Sequence, residues 1–496
     1  MTKRNARRDR PAGRTKDSIM ILEPLVADHE RALGARDPNT LLTRNKLATA
    51  YREAGRTQDA IAMFEPLLAD LETVLGAEHP NTLFTRGNLA GAYHAAGRTQ
   101  DAIDIYVPLL AARERLFGPE HPDTFATRGL LANAYEAAGR STDAIAIFEP
   151  LLADLERILG AEHPNTLSTR GNLANAYRDA GRTTDAIAIY EPLLADLERI
   201  LGPEHPNTLR TRNNLASASQ AAARPEDAIA MLEPLLADRE RILGADDPKT
   251  LSTRGELANA YQSAGRGADA IAIFEPLRDD LQRVLGADHP DALGARSNLA
   301  NAYQAALRTQ DAIKILEPLL ADIERVLGAD HPDALSARGS LAGAYQTAER
   351  PRDALAMLEP LLADRERVLG ADHPDTQNTR NKLANAYQDA GRSADAIVVL
   401  EPLLADLERT LGADHPSTLG SRNNLASMYQ DAGRTDDAIA LYEPLVEDLE
   451  RVLGADHADA RGCRENLAAV YEAAGRTADA ERLRNPLAGG GNTFIV

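Results

Sequence analysis

The chain carries a single cysteine, Cys463, and no run of about 18 apolar residues. The first scarcity excludes a disulfide framework or a cysteine-built metal cluster within one chain. The second leaves no segment that reads as a membrane-spanning helix. Lysine supplies only six of the 55 basic residues, and 75 acidic residues set the net charge at −20. A chain of that sign gains no counterion-release energy on a phosphate backbone, so nucleic acid is not an expected partner. There is no GxxxxGK[ST] loop, no GxGxxG after a strand and no HExxH, so nucleotide and zinc-hydrolase chemistry have no motif. A basic stretch runs from Lys3 to Lys16, and the short apolar run Ile19–Leu22 after it is cut by Glu23 and Pro24. No signal-peptide core forms there, and the expected location is the cytoplasm. The bias toward Arg, Ala, Gly and Asp is that of a GC-rich bacterial genome.

What is present is a period. Written in rows of 42, the columns align without insertion or deletion. A proline opens each unit, at Pro38, Pro80, Pro122, Pro164, Pro206, Pro248, Pro290, Pro332, Pro374 and Pro416, with Ala458 in the last. A glycine closes each, from Gly34 and Gly76 through Gly412 and Gly454. One unit predicts two helices. Helix A runs from about Pro80 to Ala96, with His79 at the N-cap and Pro80 at the first helical position, where a missing N–H costs nothing. Asp37 and Asp247 hold the cap column in other units. Gly97 can take the left-handed conformation that ends helix A. Helix B runs from about Thr99 to Phe117. Arg86, Leu89, Ala90 and Tyr93 share one face of helix A, and Ala102, Ile103 and Tyr106 one face of helix B. Alanines at the crossing allow close approach.

The columns Leu89, Ala90, Tyr93, Ala102 and Tyr106, with the strings HPNT and GNLAGAY, resemble the tetratricopeptide repeat. The form is the 42-residue one of kinesin light chains and bacterial signalling proteins. The resemblance covers residues 15–484 and implies an all-α, right-handed superhelical solenoid of tandem antiparallel helix pairs. Helix A would line a concave groove and helix B would lie outside. The expected organisation is a basic disordered arm over 1–14, a lone helix B over 15–34, eleven 42-residue units, and a flexible tail over 485–496. The lone helix B would leave an apolar face uncovered unless the arm supplies an irregular first helix.

Three departures from the family pattern stand out. Arg replaces the large aromatic near the start of helix A in all eleven units, from Arg44 and Arg86 to Arg422 and Arg464. A proline sits inside every helix B, from Pro24 and Pro66 to Pro444, which predicts a repeated kink. The fifth unit has Ser219 for Tyr and Ala223 for the turn glycine.

Nine histidines (His79, His121, His163, His205, His289, His331, His373, His415 and His457) fill the cap column one repeat apart. They are too far from one another to share a metal, so capping is the expected role and no metal or cofactor site is expected. Cys463 has no recurring histidine neighbour and reads as a small helix-A residue. The Arg column packs its stems inward, and its heads need acceptors. The columns of Asp70, Asp154, Asp196 and Asp322, or of Glu72, Glu156 and Glu198, can supply them as an ion-pair ladder. The alternative is a receptor for a partner's carboxylates.

The groove positions of helix A follow from helical spacing and the resemblance. They carry Asn133, Asn175, Asn259, Asn301 and Asn385 in one column and Gln220, Gln262, Gln304, Gln346, Gln388 and Gln430 in another. Gly129, Gly171, Gly255 and Gly339 beside them are expected to leave room. Amides that both donate and accept suit an extended peptide backbone. The expected function is therefore a protein-interaction scaffold and not an enzyme, with no catalytic residue and with a protein or peptide partner. A regulatory sensor array for a bacterial signalling NTPase is the alternative, and self-association through the solenoid ends is a further possibility.

Overall fold

The computed structural model describes residues 5–484, with side chains from Lys16 onward, and contains 23 α-helices and no strand among them. The chain divides into two compact units, Met1–Ile242 and Leu243–Val496. The first opens with α1 (Asn5–Leu33) and then alternates A and B helices. Its A helices are α2 (Pro38–Glu53), α4 (Pro80–Ala95), α6 (Pro122–Ala137), α8 (Pro164–Asp179) and α10 (Pro206–Ala221). Its B helices are α3 (Thr57–Leu75), α5 (Thr99–Phe117), α7 (Ser141–Leu159), α9 (Thr183–Leu201) and α11 (Pro225–Leu243), the last reaching the next unit by one residue. The second unit has A helices α12 (Pro248–Ser263), α14 (Pro290–Ala305), α16 (Pro332–Thr347), α18 (Pro374–Asp389), α20 (Pro416–Asp431) and α22 (Ala458–Ala473). Its B helices are α13 (Gly267–Leu285), α15 (Thr309–Leu327), α17 (Pro351–Val368), α19 (Ser393–Leu411), α21 (Thr435–Leu453) and α23 (Thr477–Arg484).

Local chemistry explains the boundaries. At the start of α4 the His79 ring accepts from the Asn81 N–H through Nδ1 at 3.2 Å, and the other eight cap histidines do the same in their helices. The A helix ends in a Schellman turn. The Arg98 N–H donates to the Tyr93 carbonyl at 2.9 Å and the Gly97 N–H to His94 at 3.0 Å, with Gly97 at φ 75°. Three non-glycine residues hold the same left-handed turn, Ala223 (φ 56°), Leu307 (φ 58°) and Glu349 (φ 55°). The sequence reading picked out only the first.

The B helices run unbroken through their prolines. Proline at 66 frees the carbonyl of Ala62, and both residues are exposed, so water can satisfy the lost bond. The core of each hairpin is a stack of fully buried residues such as Ala60, Phe64 and Leu67 in α3 against Leu47 and Ala48 in α2. Burying each large apolar side chain contributes roughly 1.5–3 kcal/mol.

Of the arm expected over 1–14, residues 5–14 belong to α1. Helix α1 begins at Asn5, so residues 5–14 extend it despite Pro11 and Gly13, and no separate A helix forms there. Alanine and arginine favour helix, and Ala6, Arg7, Arg8 and Arg10 supply them. Residues 1–4 and the 485–496 tail lie outside the described residues. Met20 and Ile21 on α1 are exposed, since α2 covers only one of its faces.

Candidate partner-binding groove

Within each unit, successive helices from α1 to α10 and from α12 to α23 pack against one another, and A helices such as α2 and α4 or α14 and α16 touch as well, whereas successive B helices make no comparable contact among the described residues. The A helices therefore crowd together on one side of each array, and the amide columns lie along that side.

The structure uses these amides unequally. Asn133 is half-buried and its Oδ1 accepts from Asn172 Nδ2 at 3.2 Å. Asn175 accepts from Asn214 Nδ2 at 3.0 Å and from the Tyr190 hydroxyl. In the second unit Gln304 Nε2 donates to the Ser340 carbonyl at 3.0 Å and Gln346 Nε2 to that of Lys382 at 3.1 Å. Gln388 donates to Asp431 Oδ2 at 2.6 Å. These side chains tie one A helix to the next. Gln220, Gln262 and Gln430 are half-buried in the same column. Asn259, Asn301 and Asn385 are exposed, and their side chains make no hydrogen bond among the described residues.

The glycine column borders the open space, since Gly129, Gly171 and Gly255 line clefts of the A-helix face. A Cβ on Gly171 would stand 3.5 Å from Leu193, and one on Gly255 3.6 Å from Leu277, so these glycines let helix A settle on its own helix B. The open space lies in clefts between one A helix, the last turns of its B helix and the next A helix. The cleft of α6, α7 and α8 measures about 590 Å³ and is lined by Phe125, Leu130, Ile158, Asn133 and Asn172. Related clefts lie at α8–α10 (about 220 Å³), α12–α14 (about 330 Å³), α14–α16 (about 260 Å³) and α20–α22 (about 410 Å³). Asn259 and Asn301 line two of them. The sequence reading missed two groups here. One is the asparagine just before the helix-A leucine, as in Asn172 and Asn298. The other is the exposed apolar pair ending helix B, as in Ile158–Leu159 and Val452–Leu453. The signal was present in the recurring RILG and RVLG strings.

Where other repeats carry Leu155, Leu197 or Leu281, buried arginines stand at 113, 239 and 365, three repeats apart. Arg113 Nη1 donates to Thr127 Oγ1 at 2.7 Å and to the Asp123 carbonyl at 3.1 Å. Arg365 repeats the pattern with Thr379 at 2.7 Å and Asp375 at 3.0 Å. A Cβ on Gly339 would stand 3.6 Å from Arg365 Nη2, so the guanidinium fills the space beside that glycine. Burial pushes both arginines below their ordinary range.

The conserved-register Arg column on helix A forms the ladder. Arg338 pairs with Glu324 of the preceding helix B and with Asp364 of its own, each at 2.6 Å. Arg170 pairs with Glu156 and Asp196, both at 2.9 Å, and Arg296 with Asp322 at 2.7 Å. A second clasp links the helix-A tyrosine to the glutamate preceding the helix-B proline one repeat back. Tyr93 donates to Glu65 at 2.6 Å and Tyr345 to Glu317 at 2.8 Å, while Arg98 and Arg350 stack on the two rings. Burial first, then Glu317, pushes the Tyr345 hydroxyl up to about 12. Cys463 lines the α20–α22 cleft, and burial pushes its thiol up to about 12, so it is no activated nucleophile at neutral pH.

Family models of the tetratricopeptide repeat match residues 40–81 and 82–123, and six further stretches between 132 and 483. The chain belongs to the tetratricopeptide repeat family. Its units are of the kinesin light chain-like kind. Two solved structures of nearly identical TPR-like repeats from a putative kinesin light chain of Podosopora anserina share 30% and 32% identity with it, each over 42% of this chain and 98% of theirs, at TM-score 0.39. BtubC from P. vanneervenii shares 20% identity over 57% of this chain and 93% of its own, at TM-score 0.36. A signal transduction ATPase with a tetratricopeptide repeat sensor, from Pyrococcus horikoshii, shares 12% identity over 77% of this chain and 51% of its own, at TM-score 0.49. Among curated proteins none matches the sequence. Tetratricopeptide repeat proteins are generally non-catalytic scaffolds that bind proteins or peptides. No described helix of this one is long and apolar enough to cross a membrane.

Proposed function

We propose that this tetratricopeptide repeat protein is a non-catalytic cytoplasmic scaffold that takes an extended peptide, or the surface of a partner, along its A-helix face. The observation that carries the reading is the recurring apolar cleft with an amide at its rim. A cleft of a few hundred Å³ accepts an apolar side chain, and an exposed asparagine beside it can pair with the N–H and C=O of the chain that bears it. Asn259, Asn301 and Asn385 are the residues we assign to backbone pairing. Gln304, Gln346 and Gln388, which reach the next A helix, we assign to holding A helices together. A sensor array for a signalling NTPase on another chain is the second reading, favoured by the uncovered apolar face of α1 at Met20 and Ile21, where another domain or a second copy can dock.

The test is affinity capture from host lysate with the wild type beside the triple variant N259A, N301A, N385A. None of the three side chains holds the fold together, so the variant is expected to melt with the wild type. A partner kept by the wild type and lost by the variant supports the groove. Equal capture by both places binding on another face and removes these residues from the site.

A further inference from the structure

The glutamine column contains two acids, Glu136 in α6 and Glu472 in α22, of which Glu136 has an aspartate in the register of Asp431. Six repeats from the fifth onward place Gln there, from Gln220 to Gln430, whereas α6 places Glu136. Gln388 shows what the position does, since its amide donates to Asp431 Oδ2 of the next A helix at 2.6 Å. Glu136 and Asp179 stand 252 residues before Gln388 and Asp431, six repeats, and so occupy the same register. Of the corresponding pairs in the first unit, this one alone joins two acids. Two carboxylates in that register have no proton to donate, and Oε1 of Glu136 is buried without a hydrogen-bond partner.

We propose that Glu136 and Asp179 hold one proton between them, so that protonated Glu136 donates to Asp179 as Gln388 does to Asp431, and that losing this proton loosens the α6–α8 joint. The proton comes from solvent and returns to it, with no other reactant. Asp179 is the fitting acceptor. It is paired with Arg178 at 2.9 Å, while Glu136 has no ion pair among the described residues. The groups that face Glu136 are Arg178 and Asp179 of α8, with the Tyr190 hydroxyl of α9, and none from α4, α5 or α7 acts on it. Burial, then the Asp179 charge, pushes the Glu136 carboxyl up to about 7, against the partial relief of Arg178. A raised carboxyl stabilises the fold below the ordinary value of 4.5, and that contribution is lost as pH rises through about 7. The same two helices wall the 590 Å³ cleft, so the proton sets the width of that subsite. Any effect on a bound partner rests on the scaffold reading, but the joint itself is tested without one.

The experiment is a carboxyl ¹³C titration of the full chain, with the Glu136 resonance identified by its loss in E136Q. The expected midpoint is near 7, falling in D179N, which removes a charge that favours the protonated form. A midpoint near the ordinary glutamate value, or one unchanged in D179N, overturns the shared proton. Melting between pH 5 and 8 gives the second readout. The wild type is expected to lose stability over that range while E136Q, carrying the amide of the later repeats, stays level. Equal loss in both overturns the link between this proton and the joint.

Discussion

Leu307 sits at the α14-to-α15 turn with φ 58°, where Gly265 one repeat before and Gly391 two repeats after stand at φ 73° and 70°. A left-handed L-residue costs about 1–2 kcal/mol. The side chain recovers little, since it is 83% exposed. Glycine would relieve the dihedral and surrender about 0.5–1 kcal/mol in chain entropy. L307G is therefore expected to stabilise the hairpin by about 0.5–1 kcal/mol. A repeat array does not melt as one two-state unit, so a local readout is the right one. The Leu307 and Arg308 N–H groups donate to Gln304 and Tyr303 at 3.0 and 2.8 Å. Their hydrogen exchange is expected to slow by about two- to fivefold. The mirror variant G265L isolates the dihedral, because no atom lies within 4 Å of a Cβ built there, and it is expected to speed exchange by a comparable factor or more. Faster exchange in L307G, or none in G265L, would refute the assignment of the cost to the backbone angle.

Three further outcomes follow from the ion pairs and the buried arginines. R338A removes charged hydrogen bonds to two helices and is expected to cost about 1–3 kcal/mol by denaturant titration, with R338K recovering only part because it loses the forked reach. If R338A lost partner capture at unchanged stability, the Arg column would be a receptor rather than a ladder. The paired Asp364 carboxyl is held below its ordinary 3.8, by Arg367 foremost and then by Arg338. A lowered carboxyl gives stability that is present above that value and lost on further acidification, so melting temperature should drop below about pH 4, less steeply in R338A. R365L exchanges a buried guanidinium for the leucine of other repeats. Hydrogen bonds worth roughly 1.5–3 kcal/mol each are lost against a desolvation cost of several kcal/mol. The melting temperature is expected to stay level or rise, and a fall worth more than about 3 kcal/mol would show that the arginine's bonds dominate.

The hairpin was legible because it rests on local rules. Capping at His79, Pro80 at the first helical position and Gly97 at the turn place α4 and α5 to within a residue at each end. The Arg column was legible too, since its acceptors recur at fixed offsets of −14 and +26 residues. What sequence periodicity does not carry is the distance between successive A helices. That distance decides whether Gln304 faces a partner or reaches the Ser340 carbonyl. The same holds for Arg365, which a helical wheel reads as a surface charge at a leucine position and the fold encloses. Leu307 and Glu349 were missed because a turn can be kept in the left-handed region at a cost that leaves no mark in the residue type.

The restriction of contacts to adjacent helices has a mechanical consequence. In a globular core a pull on the termini is shared among many strands of chain at once. Within each unit here, tension passes through one joint after another, and the weakest yields alone. Each yielding hairpin releases up to 42 residues, roughly 14 nm of slack. The Arg338-type bridges, reaching one helix back and one helix on, act as the rivets that set how evenly those joints share the load.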